Sequence, residues 1–380
     1  MIRFLTAAAL LISAALPASA FDTRAKAAYI YDVTTATVLL DKNADQPLPP
    51  ASMSKLMTLY VAFEAIERGL LRMTDELVVS SHANSYGGST LFLKTGERVT
   101  VQELMRGIIV LSGNDACAVI AEALSPDGTE RGFARLMTRK AQDMGMTNST
   151  FVNSNGWPAA GHRMSMRDLG LLATRLIEDF PQFYPMFAET EFLFDATESA
   201  NRFNRNPLLK LGIGADGLKT GHTKEAGYGL TGSAKQGDRR IVFVMSGMPS
   251  SAARAQEAEA IVNWSFRQFA QRTLASGGQR IATAQVWEGA APEIGLVPKD
   301  EISILLPVLA DTKVSAEVIY TGPVQAPIAA GTPLAHLLVQ PEGLPEQRFE
   351  LVAERDVAHG GFLATVSTAA MSLIDRLAGP

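Results

Sequence analysis

A serine and a lysine three positions apart could act together as a nucleophile and its base. Ser52 and Lys55 open a segment whose apolar residues recur at helical spacing, namely Met53, Leu56, Met57, Tyr60 and Phe63. Residues i and i+3 share a helix face, so the hydroxyl and the amine can touch. A serine hydroxyl is weakly nucleophilic until a base removes its proton, and burial can depress the pKa of a lysine enough for that task. Alone the pair is a weak signal, because an N-capping serine and a surface lysine have the same spacing.

A second group of polar residues, Ser112-Gly113-Asn114, follows the apolar stretch from Ile108 to Leu111. On a loop after a helix, its hydroxyl and amide could face the same cleft as Ser52. The plainer interpretation is an N-cap for a helix that starts at Asp115. Ser199-Ala200-Asn201 repeats the pattern, which shows how easily it arises by chance.

A third group, Lys219-Thr220-Gly221, precedes His222 and Thr223. On a strand edge, the cation and the hydroxyl could hold a substrate carboxylate, and the glycine would leave room for the substrate backbone. The tripeptide occurs again at Lys94-Thr95-Gly96, where the following residues indicate a turn. Its place in the chain and its context exclude the second copy from the predicted site.

The order of the three groups carries more weight than any one of them. A serine-x-x-lysine helix, a serine-x-asparagine loop and a lysine-threonine-glycine strand, in that order, form the signature of class A β-lactamases and penicillin-binding proteins. The alternative structural interpretations of the single motifs do not predict this order.

The strands and helices predicted around the three motifs indicate an α+β catalytic domain. A strand pair is predicted at 28–32 and 38–40, and the helix after it should be largely buried and end near Gly69. Further helices are predicted at 101–111, 116–124, 132–144, 166–176 and 253–269, and strands at 229–234 and 240–248. The two ends of this region should therefore pair into one antiparallel sheet with a helical insert between them.

The rest of the chain changes character after residue 275. Short strands predicted at 281–287, 302–306, 314–319, 334–339 and 349–352 indicate a small all-β sandwich. Residues 1–20 have the basic start, apolar core and small-residue cleavage site of a signal peptide. We therefore predict a signal peptide at 1–20, a catalytic domain at 21–275, a β-sandwich domain at 276–361 and an amphipathic helix at 362–380. That helix could lie on a membrane, or dock on its own domain or on an oligomer.

Composition excludes several classes of function. The chain has 380 residues and a net charge of −5, which gives no indication of a nucleic-acid partner. The chain has no zinc-binding Cys/His spacing, HExxH motif or phosphate-binding loop, so we predict no metal and no cofactor. The single cysteine, Cys117, cannot form an internal disulfide. It is either a small buried apolar residue or a reactive thiol beside the second motif.

The motif segments resemble those of the low-molecular-mass D-alanyl-D-alanine carboxypeptidases, the class typified by penicillin-binding proteins 5 and 6. The matching segments are Pro50 to Thr58, Ser112 to Cys117, Asn204 to Asn206, Asp216 to Thr223 and Ala226 to Tyr228. The resemblance covers essentially the whole chain after the signal peptide. It implies a β-lactamase/transpeptidase-like catalytic domain and no metal.

The resemblance also implies roles for individual residues. Ser52 would attack the carbonyl between two D-alanines, and Lys55 would take its proton. Ser112 would relay a proton to the departing D-alanine amine, while Asn114 would orient Lys55 and the substrate amide. The main-chain N–H groups of Ser52 and His222 would form an oxyanion hole.

The terminal carboxylate of the substrate would be bound by Lys219, Thr223 and Arg205, next to Thr220 and Gly221. The implied partners are peptidoglycan stem peptides as substrate and β-lactams as inhibitors that acylate Ser52. The implied location is outside the cytoplasm, in the periplasm of a double-membrane cell, with or without a tether to the cytoplasmic membrane through the C-terminal helix.

Four alternatives use the same fold or site. A class A β-lactamase also needs a carboxylate for the deacylating water, and no Glu-x-x-Leu-Asn segment lies between Asn114 and Lys219. A transpeptidase or an endopeptidase would use the same chemistry with a different acceptor. A sensor would acylate and stall. A fourth hypothesis makes the β domain the functional part, as a scaffold for partner proteins.

Overall fold

The computed structural model describes residues 21–194, 201–308, 314–341 and 343–361. The predicted signal peptide and the predicted C-terminal helix lie outside these residues. Within them the chain forms two regions, one α+β and one built of strands, as the sequence predicted.

A five-stranded antiparallel sheet forms the base of the first region. Its strands are β1 (Ala27–Asp32), β2 (Thr37–Lys42), β5 (Ala215–Thr223), β6 (Gly227–Gln236) and β7 (Arg239–Met248). They lie in the order β2-β1-β7-β6-β5, so the first and last strands of the region pair at the centre of the sheet. This pairing confirms the prediction that the two ends of the region form one sheet.

Alternate residues along β1 pack into different apolar cores, because successive side chains of a strand point to opposite faces of the sheet. On β1, Ala27 and Tyr29 pack toward the helical insert, while Ala28 and Ile30 pack toward the last helix, α7 (Ser251–Gln268). Both faces of the central strands are therefore covered, and the region has three layers.

The helical insert lies between β2 and β5. Its elements are a 3₁₀ turn (Ala51–Ser54), α1 (Lys55–Glu67), β3 (Glu76–Val78), α2 (Ser81–Asn84), β4 (Arg98–Thr100), α3 (Val101–Arg106), a π turn (Gly107–Leu111), α4 (Asn114–Leu124), α5 (Glu130–Asp143), α6 (Met166–Asp179) and a second 3₁₀ turn (Tyr184–Ala188). Every residue from Lys55 to Phe63 is buried, which confirms the prediction for this helix. Gly69, in a left-handed conformation with φ of 69°, follows its end.

The second region consists of strands. They are β8 (Phe269–Ala275), β9 (Ala282–Trp287), β10 (Glu293–Pro298), β11 (Ile302–Pro307), β12 (Val314–Tyr320), β13 (Val324–Gln325), β14 (Pro333–Pro341) and β15 (Gln347–Ala353). Six form a sheet in the order β12-β14-β15-β10-β9-β13, and β11 pairs with β8. Side chains from both sheets share one apolar core, so the region is β-rich as predicted.

Strand β8 continues directly from α7 and ends at Ala275, where the sequence placed the domain boundary. It pairs with β11, so this part of the β structure begins before residue 276. The two regions meet at a small apolar cluster of Phe269, Leu305 and Leu344, packed against Leu39 and Trp264. No helix among the described residues is both long and apolar enough to cross a bilayer.

Candidate active site

The first predicted pair lies where the 3₁₀ turn runs into α1. Ser52 is partly buried in the turn, and Lys55 is the first residue of the helix. The Lys55 Nζ donates to Ser52 Oγ at 3.2 Å. The sequence spacing therefore gives the contact that proton transfer between these groups needs.

Lys55 is a cation enclosed by main-chain and amide oxygens. Its Nζ also donates to Asn114 Oδ1 at 2.7 Å and to the main-chain carbonyl of Asn155. The side chain has no exposure to water, and burial lowers the pKa of Lys55 to about 8. At pH 7 a lysine with this pKa is neutral in about one molecule in ten, and in that form it can accept a proton.

Ser112 connects the π turn to α4 in a strained conformation. Its φ of 65° lies in the left-handed region, where a non-glycine residue is uncommon. The side chain is fully buried, and its Oγ has no hydrogen-bond partner among the described residues. A buried hydroxyl without a partner costs stability, so this position indicates a functional constraint rather than an N-cap.

Position 113, between Ser112 and Asn114, is occupied by glycine because a side chain there would not fit. A Cβ atom on Gly113 would lie 2.3 Å from Leu91 Cδ1, so a larger residue would displace the turn. Asn114 begins α4, and its Nδ2 donates to the Gly87 carbonyl at 2.8 Å. The amide is thus fixed with its oxygen toward Lys55, which leaves no freedom for the reverse orientation.

Lys219 lies on β5, the edge strand beside the 3₁₀ turn that carries Ser52. Gly221 lets this strand approach, because a Cβ there would lie 3.0 Å from the Pro50 carbonyl oxygen and 3.3 Å from Ala51 Cβ. Lys219 is buried, and its hydrogen bond, 3.4 Å to the Thr220 carbonyl, is long. Burial, followed by the nearby charges of Arg205 and Lys55, lowers the pKa of Lys219 well below its usual value.

Arg205 reaches the site from the segment before β5. Its guanidinium donates to Ser89 Oγ and to the Leu111 carbonyl, both at 2.9 Å. It therefore joins the π turn that precedes Ser112 to the loop that precedes β4. Together with Lys219 it gives this side of the site a positive field that suits an anion.

The remaining predicted residues continue along β5. Thr220 is buried, and the Thr223 Oγ1 accepts from the Ala226 N–H at 3.0 Å. The exposed imidazole of His222 stacks on Tyr228 with ring centroids 3.8 Å apart. The structure thus links Ser52, Lys55 and Asn114 directly, brings Arg205 in through the two loops, and sets Lys219 to Thr223 on the neighbouring strand.

Two groups of this site have no counterpart among the predicted residues. They are the Asn155 carbonyl, which binds Lys55, and the loop atoms of Gly87 and Ser89, which bind Asn114 and Arg205. Main-chain carbonyls carry no side-chain signature, so the sequence could indicate only that His82 to Thr90 is rich in Ser and Gly.

Cys117 is the small buried apolar residue of the two predicted alternatives. It has no exposure, and burial raises the pKa of its thiol to about 12. A thiol in this state is a poor nucleophile. The second lysine-threonine-glycine copy precedes β4, on a turn where Lys94 is exposed.

Comparison with known proteins gives a consistent family. The family model for D-alanyl-D-alanine carboxypeptidase matches residues 14–250, and that for the penicillin-binding protein 5 C-terminal domain matches residues 269–359. The chain is 34% identical over 343 residues to the D-alanyl-D-alanine carboxypeptidase DacF of Bacillus subtilis, which covers 89% of this chain and 87% of that protein.

Solved structures agree. Penicillin-binding protein 5 from Haemophilus influenzae has a TM-score of 0.78 at 29% identity, over 88% of this chain and 98% of that chain. Penicillin-binding protein D2 from Listeria monocytogenes, in its ampicillin-bound form, has a TM-score of 0.57 at 30% identity, over 64% of this chain and 97% of that chain. With a matching family model over more than half its length, this chain belongs to the D-alanyl-D-alanine carboxypeptidase family.

Proposed function

We propose that the chain is a serine-type D-alanyl-D-alanine carboxypeptidase that removes the terminal D-alanine from peptidoglycan stem peptides. The observation that carries the proposal is the 3.2 Å hydrogen bond between Lys55 Nζ and Ser52 Oγ, with Lys55 fully enclosed. It joins a nucleophile to a base whose pKa is about 8, close to the range in which a base is most useful.

In the acylation step, neutral Lys55 takes the Ser52 proton while the oxygen attacks the carbonyl carbon between the two D-alanines. Main-chain N–H groups of Ser52 and His222 stabilise the oxyanion, a contribution of roughly 3–4 kcal/mol per donor. Ser112 passes a proton to the D-alanine nitrogen, the C–N bond breaks, and the acyl-enzyme remains. The Ser112 hydroxyl, which has no partner within the described ranges, supports this role, because a substrate amine would supply one.

The terminal carboxylate is bound by Lys219, Thr223 and Arg205. Lys219 is buried, and after burial itself the charge of Arg205 is the next largest cause that lowers the pKa of Lys219. Two neighbouring cations support an anion site, since an anion relieves their repulsion. The open edge of β5, with Thr220 and Gly221, accommodates the substrate backbone.

Water completes the cycle by attack on the ester carbonyl, with one of its protons taken by the base. The C–O bond to Ser52 breaks, Ser52 receives that proton from the base, and the shortened peptide leaves with a new carboxyl group. A β-lactam ring presents a strained amide to the same serine, so β-lactams are proposed to acylate Ser52 and to inhibit. The ampicillin-bound structural neighbour supports this proposal.

The protein is proposed to act outside the cytoplasm, with residues 1–20 as its signal peptide, 21–275 as the catalytic domain and 276–361 as the β domain. Association of residues 362–380 with the membrane surface is part of the same proposal and rests on their apolar stripe.

The test is D-alanine release from diacetyl-Lys-D-Ala-D-Ala by the purified protein and by Ser52→Ala. We expect steady release that falls by about 10⁴-fold or more in the variant, because loss of a nucleophile has effects of this size. Covalent labelling by a fluorescent penicillin should disappear with it.

Ser54→Ala is the matched control, since Ser54 is buried in the same turn and donates only to the Ala51 carbonyl. It should keep its penicillin labelling. Labelling without D-alanine release in the unmodified protein would overturn the carboxypeptidase and favour a transpeptidase, an endopeptidase or a sensor.

A further inference from the structure

Glu130 is a buried carboxylate that the proposed mechanism does not use. It lies in the first turn of α5, and its side chain is 7% exposed. One oxygen accepts from the N–H of Ser154 at 2.9 Å and from its hydroxyl. The other accepts from the Tyr86 hydroxyl at 2.7 Å and contacts His82 Nε2 at 2.7 Å.

One of the two segments that Glu130 holds contacts the base. The carbonyl of Ser154 accepts from Thr58 Oγ1, and the next carbonyl, of Asn155, accepts from Lys55 Nζ. Thr58 and Lys55 are one helical turn apart on α1. The carboxylate therefore fixes the turn that presents an acceptor to the lysine.

The other segment contacts the second motif and the anion site. Residues 80–90 carry His82 and Tyr86, and beyond them the Gly87 carbonyl accepts from Asn114 Nδ2. The Ser89 carbonyl accepts from the Asn114 N–H at 2.8 Å, and Ser89 Oγ accepts from Arg205. A shift of this segment would move both the amide and the guanidinium.

We propose that Glu130 is a positioning residue for the carboxypeptidase reaction, because its single carboxylate ties the Asn155 segment and the 80–90 segment into one frame around Lys55 and Asn114. The inference rests on the proposed function, since it assigns Glu130 its effect through the base and the amide. Glu130 itself touches neither Ser52 nor the predicted substrate-binding residues in the described hydrogen bonds.

The charge on Glu130 is part of this role. Burial alone would raise its pKa, but the hydrogen bonds from Ser154, Tyr86 and His82 outweigh burial and lower it, so the group is ionised. The first turn of α5 adds the favourable end of a helix dipole. The negative charge in turn raises the pKa of Lys55, against the larger lowering by burial.

Glu130→Gln removes the charge and keeps an acceptor for Ser154. We expect kcat/KM for the tripeptide to fall by about tenfold, and by about 100-fold in Glu130→Ala, because misplacement near 1 Å costs that much. We also expect the acid limb of the pH profile to move to lower pH in Glu130→Gln, since Lys55 loses a charge that favoured its proton. If the role of Glu130 were purely structural, kcat/KM would fall but the acid limb of the pH profile would stay at the same pH.

Glu122→Gln is the matched control. Glu122 is also a carboxylate that holds the 80–90 segment, but through Ser80 Oγ at 2.9 Å, at the end away from the site. Glu122→Gln should have the same kcat/KM as the unmodified protein, and the acid limb of its pH profile should lie at the same pH. An unchanged Glu130→Gln, or an equal loss in Glu122→Gln, would overturn the proposal.

Single-atom variants keep the proposal testable if the Glu130 variants do not fold. Tyr86→Phe and Ser154→Ala each remove one hydroxyl that donates a hydrogen bond to the Glu130 carboxylate. Each should lower kcat/KM by roughly threefold, as loss of one hydrogen bond does. Unchanged rates in both would overturn the inference. Failure of the proposed function is distinguishable, because the unmodified protein would then release no D-alanine, or Ser52→Ala would release it as fast as the unmodified protein.

Discussion

The catalytic region and the β region bury different kinds of residues. The catalytic region encloses the paired charges of Asp32 and Arg239, and also Lys55 and Lys219, which have no acidic partner in the described part of the chain. In the described part of residues 269–361, every buried residue is apolar, glycine or proline. Both regions have a continuous apolar core, so the difference lies in the charges and not in the packing.

Burying a cation without an anion opposes folding, because the charge loses its hydration. The β region avoids this cost, because its buried residues in the described part of the chain carry no charge. The catalytic region bears the cost at two lysines, of which Lys55 also lowers the pKa of Lys219, and the depressed pKa values are its signature. Unfavourable burial of charge therefore marks the functional part of the molecule more sharply than any pocket does.

Lys55→Met should have the largest effect on the catalytic region. It removes the buried cation in favour of an apolar chain of similar length, and we expect D-alanine release to fall by about 10⁴-fold because the nucleophile loses its base. Release per mole of folded protein is the measurement. Lys94→Met is the control, since Lys94 lies in the second lysine-threonine-glycine copy, is exposed and should be dispensable. A fully active Lys55→Met protein would contradict the assignment of the base.

The same variant has a stability readout with a defined sign. Lys55 has a pKa of about 8 in the folded protein and 10.5 in its usual state, so the unfolded chain binds more protons between these values. The free energy of unfolding of the unmodified protein should therefore rise with pH over this window, by about 3 kcal/mol from Lys55. In Lys55→Met the rise should be smaller, and Lys219 accounts for what remains. Urea unfolding at pH 8, 9 and 10 measures the slope.

Much of this site could be predicted because its chemistry depends on side-chain types at short spacing. Ser52 and Lys55 share a helix turn, so their contact follows from the sequence. Contact with Asn114 did not follow from spacing, and only the order of the motifs indicated it. The sheet that joins both ends of the region was predictable in the same way, from the alternation of its first and last strands.

The parts that were missed depend on main chain or on distant side chains. The carbonyl of Asn155 has no sequence signature, and Glu130 at the start of α5 looks like an ordinary first-turn acid. In the β region, β10 escaped detection because Gly295 and the flanking prolines indicate turns. Strand β8 was missed because it continues from α7 and three of its central residues, 271–273, are polar and exposed.

Leu351→Ala tests the β region, where truncation of a buried residue should lower stability and leave activity unchanged. Leu351 on β15 is fully buried in the β core, and its truncation should lower the free energy of unfolding by about 2–5 kcal/mol. Trp287 on β9 lies in the same region, so its fluorescence can follow the transition in urea. D-alanine release per folded molecule should stay unchanged, because no described hydrogen bond links this core to the site. Leu274→Ala, the same change at a side chain that is 37% exposed, is the control.

Gln347→Ala should have the smallest effect, because it acts where the two regions touch. Gln347 on β15 donates to the Thr35 carbonyl in the β1–β2 turn at 3.1 Å and to the hydroxyl of Thr37, the first residue of β2. Its own side-chain oxygen is buried and has no partner among the described residues, which reduces the net gain from the two hydrogen bonds. We expect the β-region transition to lose about 1 kcal/mol, the value of an ordinary hydrogen bond. Glu350→Ala, at an exposed position of the same strand, should lose less. A drop in D-alanine release without a change in unfolding would show instead that the β region acts on the site through this contact.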